Sequence, residues 1–201
     1  MSLNFYKYVC KLGSVKRFAV DNLKYPYSVA EHSYRVAMLS MLIVDDYNLK
    51  NHNKINSEEV LRKALIHDLE EVKMGDIPSP AKNVNKKVKK YLREIGYSLM
   101  EEEVLEGLPE SIKLRYLSLW NEDKDGTSGE IIELADKLEG LYQSIKEVNA
   151  SNDELEESLL SHISYFESEK GIELMDRYSI SKEIYEDMIT SIKNNSEKKV
   201  A

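Results

Sequence analysis

In the run VLRKALIHDLEEV a histidine is followed at once by an aspartate, His67-Asp68, where helical periodicity calls for core residues. Val60, Ala64, His67 and Glu71 fall on one stripe at i, i+4, i+7 and i+11, and Leu61, Leu65, Asp68 and Val72 form the stripe beside it. An inward carboxylate is expensive unless it is paired or metal-bound, so the fold has to bring partners to this pair. Adjacent helical residues point about 100° apart, and both can reach one ion only if it sits over the groove between them. Other helices must supply the remaining ligands.

Two segments offer them. In SVAEHSYRVAMLSMLIV, residues Val29, Val36, Ala37, Ser40, Ile43 and Val44 make a small or apolar face, and His32 lies on it. In GEIIELADKLEGLYQSI, Asp136 stands one turn after Ile132 and beside Ala135, with Leu138, Leu141, Tyr142 and Ile145 continuing the apolar surface. Taken singly, either histidine can be a hydrogen-bonded core residue, and Asp136 can pair with Lys137 on a wet face. Together, His32, His67, Asp68 and Asp136 would hold one divalent cation and leave positions open for water or a substrate oxygen, as a hydrolytic metal site requires.

Periodicity is helical almost everywhere and no alternating β-branched run stands out, so the chain is expected to be all-α. Breaks are expected at Gly13, Asn22 to Pro26, Asn48 to Ser57, Gly75 to Pro80, Gly107 to Pro109 and Asn121 to Gly129, each rich in turn formers. Ser28 with Glu31 has capping-box spacing, and Ser57 and Pro80 are placed to start further helices. The length of 201 residues suits one domain, 1–201, whose polar end, 194–201, is expected to fray.

In AKNVNKKVKKYLREIG, Val84, Val88, Tyr91, Leu92 and Ile95 form an apolar stripe, which makes the lysines its solvated side. The net charge of −8 and the scatter of lysines among glutamates argue against binding long nucleic acid. No apolar run is long enough to span a bilayer and the N-terminus lacks the apolar core of a secretory leader, so a cytoplasmic location is expected. Cys10, the single cysteine, is read as a small buried apolar residue. His52 and His162 are read as surface or helix-packing residues.

The order His32, His67-Asp68, Asp136, together with the segments LGSVKRF, SVAEHSYRVAML, HDLEEVKMGDIPSPAK and ELADKLEGLYQ, resembles the HD-domain metal-dependent phosphohydrolases. The bacterial 5′-deoxynucleotidase branch is the more similar, over about Phe5 to about Tyr165. The resemblance implies a single-domain multi-helix HD fold with a metal site between helices. It further implies hydrolysis of deoxynucleoside 5′-monophosphates to deoxynucleoside and phosphate, and a homodimer. The apolar helices around Leu159, Ile163 and Phe166 could form the dimer contact or pack within the monomer.

Mixed nitrogen and oxygen ligation suits one divalent ion among Mn, Co, Fe, Ni and Zn, which would polarise a phosphoryl oxygen and lower the pKa of water. Glu71, one turn beyond His67, is spaced for general acid or base work, with Glu70 left to solvent. Asp76 sits on a loop stiffened by Pro78 and Pro80, where it can cap the turn or face a pocket. By resemblance, Asp76 borders the substrate and contributes to sugar recognition or the catalytic network, and Arg17 grips the 5′-phosphate, a task suited to a guanidinium fork. The family's sugar-packing aromatic is usually tryptophan, and Phe18 stands there in this chain. The alternatives are a nucleotide-binding regulatory protein with a structural metal, or a hydrolase of another small phosphate ester.

Overall fold

The computed structural model describes residues 2–122 and 126–200, with side chains described within 3–122 and 126–192. In chain order the helices are α1 (Ser2–Leu12), α2 (Val29–Lys50), α3 (Ser57–Ile66), α4 (Glu71–Met74), α5 (Ser79–Lys82) and α6 (Lys86–Leu99). A π-helical turn at Met100–Val104 leads to α7 (Glu110–Asn121) and α8 (Gly126–Asn149). A 3₁₀ turn at Asp153–Leu155 then precedes α9 (Glu156–Phe166), α10 (Glu169–Arg177) and α11 (Ser179–Val200). Among the described residues the extended pairing is one isolated antiparallel bridge, Lys16 with Ser28.

The helix starts follow local chemistry. Ser28 accepts from the Glu31 amide while the Glu31 carboxylate accepts from the Ser28 amide, which is the expected capping box. Asn56 rather than Ser57 caps α3, its side chain accepting from the Glu59 amide. Pro78 precedes α5, and Pro80 falls in its first turn, where a missing N–H costs nothing. Residues 123–125 of the expected Asn121 to Gly129 break lie outside the described residues. The 194–201 end, expected to fray, is helical to Val200, and its side chains also lie outside the described residues.

Two apolar clusters build the interior. One surrounds α8 and joins Val36, Ala37, Ile43 and Val44 of α2 to Val60 and Ala64 of α3 and to Leu134, Leu138 and Leu141. The other gathers Leu12, Val29, Leu69, Val72, Met100, Val104 and Trp120. The seam between them decides where polar groups can sit. Val29 belongs to the second cluster and Val36 to the first, with His32 between them on α2; Ala64 belongs to the first and Leu69 to the second, with His67-Asp68 between them. A single continuous core would have charged these groups the full cost of apolar burial.

Several expectations need correction. The helix read through His67-Asp68 stops at Ile66, and the chain passes into α4 through i to i+3 turns, Leu69 N–H to Ile66 O and Glu71 N–H to Asp68 O. Leu65 and Tyr142 are exposed. The stripe expected along α6 is likewise open at Tyr91 and Ile95, and Val84 lies exposed before that helix begins. Leu159 and Phe166 are buried and Ile163 packs against the same α8 core, so that stripe is spent within the monomer. Cys10 is an exposed free thiol. Glu70 accepts from the indole N–H of buried Trp120 at 2.6 Å, so it serves as that indole's polar anchor instead of lying in solvent. His52 is exposed, and half-buried His162 packs against Gly140, as helix-packing and surface readings required.

Candidate active site

His32 comes from α2, His67 and Asp68 from the turn after α3, and Asp136 from α8. The Nδ1 of His67 donates to Ala64 O at 2.8 Å, since a carbonyl can only accept. The Nδ1 of His32 lies 2.8 Å from Glu139 Oε2. Each ring thus spends its proton on a partner behind it and turns Nε2 toward Asp68. The Asp68 Oδ2 lies 3.5 Å from His32 Nε2 and 3.2 Å from His67 Nε2.

Both Nε2 atoms are buried without a hydrogen-bond partner. One atom each from His32, His67 and Asp68 falls within 4.8 Å of the others, a grouping able to hold a metal ion. Two orphaned imidazole lone pairs beside a carboxylate fit a borderline divalent cation, whose bonds would satisfy all three. Asp136 Oδ1 stands 3.2 Å from His32 Nε2 and 3.3 Å from Arg17 Nη2, at the open edge of that grouping. Lys137 does not join it, because its ammonium lies over the Tyr165 ring.

Arg17 arrives on the segment between α1 and α2. Its amide donates to Tyr27 O at 3.0 Å, and Val29 N–H donates to Val15 O at 2.9 Å, which pins this segment to the start of α2. The far end of the same segment is held by Glu147, which accepts from the Lys24 and Tyr25 amides, each at 2.8 Å. Arg17 Nη1 donates to Asp76 Oδ1 at 2.8 Å, and the Phe18 amide donates to Asp76 Oδ2 at 2.8 Å. Phe18 has a φ of 54°, a left-handed conformation that costs a bulky residue about 1–2 kcal/mol. Asp76 holds it there, so both oxygens of this carboxylate are committed to positioning Arg17 and Phe18.

Glu71, one turn after His67, is buried. Burial, followed by the nearby charge of Asp68, pushes its carboxyl up to about 9 despite Lys82 and Arg17. Burial opposes charge on Asp68 as well, but the His67 ring beside it, with the Lys82 ammonium further off, holds it well below the usual carboxylate range. Two groups escaped the sequence reading. Glu139 backs His32 and also accepts from Tyr27 and Arg35; its place one turn after Asp136, on the buried face of α8, is a signal that periodicity could have supplied. Lys82, read as part of a solvated run, turns inward, with Nζ 2.7 Å from Glu71 Oε1. No periodicity marks it, because α5 is a single turn.

The all-helical arrangement is the fold of solved HD-domain phosphohydrolases. A solved HD-domain phosphohydrolase from Listeria innocua shares the fold, with a TM-score of 0.71 at 22% identity, covering 94% of this chain and 97% of that one. The chain belongs to the YfbR-like 5′-deoxynucleotidase family, which it matches over residues 4–176. A 5′-deoxynucleotidase from Homo sapiens is 31% identical over 146 residues, 71% of this chain and 66% of the human protein, just under two thirds of its length. A cyanophage S-2L HD phosphohydrolase, solved bound to dA and one catalytic Zn²⁺ ion, has the same fold at a TM-score of 0.60 and 18% identity, covering 94% of this chain and 96% of that one.

Proposed function

We propose that this chain is a metal-dependent phosphomonoesterase that hydrolyses deoxynucleoside 5′-monophosphates to deoxynucleoside and inorganic phosphate. The observation that carries this reading is the pair of buried, partnerless Nε2 atoms of His32 and His67 facing Asp68. Membership of a 5′-deoxynucleotidase family supports the substrate class. His32, His67, Asp68 and Asp136 would hold the ion, which supplies charge stabilisation at a phosphoryl oxygen and acidifies water.

The chain's own groups do the rest. Arg17, at the open edge beside Asp136, offers its guanidinium to the phosphate. Asp76 keeps Arg17 and Phe18 in place, and the Phe18 ring, 6.5 Å from that of Tyr27, walls the sugar. Glu71 retains its proton near neutral pH and donates it to the leaving 5′-oxygen. A homodimer would have to use a face other than the buried Leu159 and Phe166 stripe. Among the described residues no helix is long and apolar enough to cross a membrane, and we read the enzyme as cytoplasmic.

The test is phosphate release by chelator-stripped protein resupplied with Mn²⁺ or Co²⁺, with dAMP and AMP side by side and Asp68→Ala as control. Metal-dependent release from dAMP that the variant loses supports the reading. No release from dAMP with metal present overturns it.

A further inference from the structure

Lys82 ends α5 on the proline-stiffened loop that carries Asp76. The lysines that follow in the same run, Lys86, Lys87, Lys89 and Lys90, are all exposed. Lys82 instead places Nζ 2.7 Å from Glu71 Oε1 and 3.9 Å from Asp76 Oδ1. That same Asp76 oxygen accepts from Arg17 Nη1 at 2.8 Å. Two cations 65 positions apart in the chain therefore converge on one oxygen.

The two cations differ in how free they are. The side chain of Arg17 is 16% exposed and carries three ion pairs, with Asp68, Asp76 and Asp136, whereas that of Lys82 is 34% exposed and can swing on a flexible stem. Glu71 keeps its Oε2 buried without a hydrogen-bond partner, so Lys82 does not complete the satisfaction of that carboxyl. An ammonium already ordered beside the Arg17 anchor loses little further freedom when an anion arrives. A phosphate monoester has enough peripheral oxygens to accept from both groups.

We propose that Lys82 is a second phosphate-binding residue, which moves its ammonium from Glu71 Oε1 to a phosphoryl oxygen while Arg17 holds another. This inference rests on the phosphomonoesterase reading of the same site. It gives Glu71 two states, paired with Lys82 in the empty site and released from it when the monoester is bound.

The experiment measures equilibrium binding of dAMP, deoxyadenosine and inorganic phosphate, with Mn²⁺ present, to Glu71→Gln and to Glu71→Gln with Lys82→Met. The glutamine removes turnover and leaves no charge at position 71 at any pH, so a lysine that merely neutralised Glu71 has nothing left to contribute. The account expects Lys82→Met to weaken dAMP and phosphate by about 10- to 100-fold, the range of a lost charge-assisted hydrogen bond, and to leave deoxyadenosine unchanged. Lys82→Arg, which keeps the charge, should recover most of the loss, and thermal melts check that each variant is folded. Equal binding of dAMP with and without Lys82, or equal weakening of dAMP and deoxyadenosine, overturns the role of Lys82 and leaves the site reading standing. Failure of dAMP to bind Glu71→Gln at all overturns both.

Discussion

The Oε2 of Glu139 lies 2.8 Å from Nδ1 of His32, and the contact turns the far nitrogen of the ring toward Asp68. Glu139 is itself held by the Tyr27 hydroxyl at 3.0 Å and the Arg35 guanidinium at 3.1 Å, so the ring is oriented by a group that cannot easily rotate. Outer carboxylates of this kind fix both the tautomer and the direction of a ligand imidazole. Glu139→Ala is expected to weaken Mn²⁺ binding by about 10- to 100-fold in a calorimetric titration. Unchanged affinity would show that His32 is oriented by packing alone.

Phe18 makes a separate demand on the backbone. Its φ of 54° is easy for glycine and strained for any residue with a Cβ. Phe18→Ala removes the ring and keeps the strain, whereas Phe18→Gly removes both. Phe18→Gly should therefore be more stable than Phe18→Ala by about 1 kcal/mol in denaturant unfolding, with equally weakened dAMP binding. Equal stability of the two variants would mean that the backbone there is not under strain.

Acid should act through His162. Burial, with a contribution from Lys137, depresses this imidazole to about 4 from the ordinary 6.5, and its Nε2 lies where a Cβ on Gly140 would come within 2.4 Å. A depressed histidine is neutral when folded, while the unfolded chain takes up a proton below 6.5. Its contribution is thus complete above 6.5, shrinks as pH falls, and is gone below about 4. Wild type should lose up to roughly 3 kcal/mol more than His162→Gln between pH 7.5 and 4. Parallel stability curves for the two proteins would refute this.

Much of the site could be read in the sequence because its residues obey local rules. Ser28 and Glu31 cap α2 through neighbours three apart, and His32 follows the buried face of that helix by simple periodicity. His67-Asp68 stood out for the same reason, as polar groups on an apolar stripe. What escaped depends on how helices meet. The i to i+3 turns at Ile66 to Glu71 keep near-helical dihedrals, so periodicity continues across a break it cannot detect. The inward turn of Lys82 follows from the rigid loop before it, not from its lysine-rich neighbours. Leu65 and Tyr142 are apolar positions on the expected stripes that nonetheless stand exposed, since periodicity does not say how wide a face the neighbours cover. Cys10 shows the converse error, since composition says nothing about which side of α1 meets the core.

The centre made by His32, His67 and Asp68 is the claim on which the rest depends. Metal analysis of stripped protein titrated with Co²⁺, followed by its visible absorption, tests it most directly. The account predicts saturation at one ion per chain, loss of that binding in His67→Ala and Asp68→Ala, and a changed spectrum when dAMP is added. Absence of saturable binding, or binding that survives both substitutions, would contradict it.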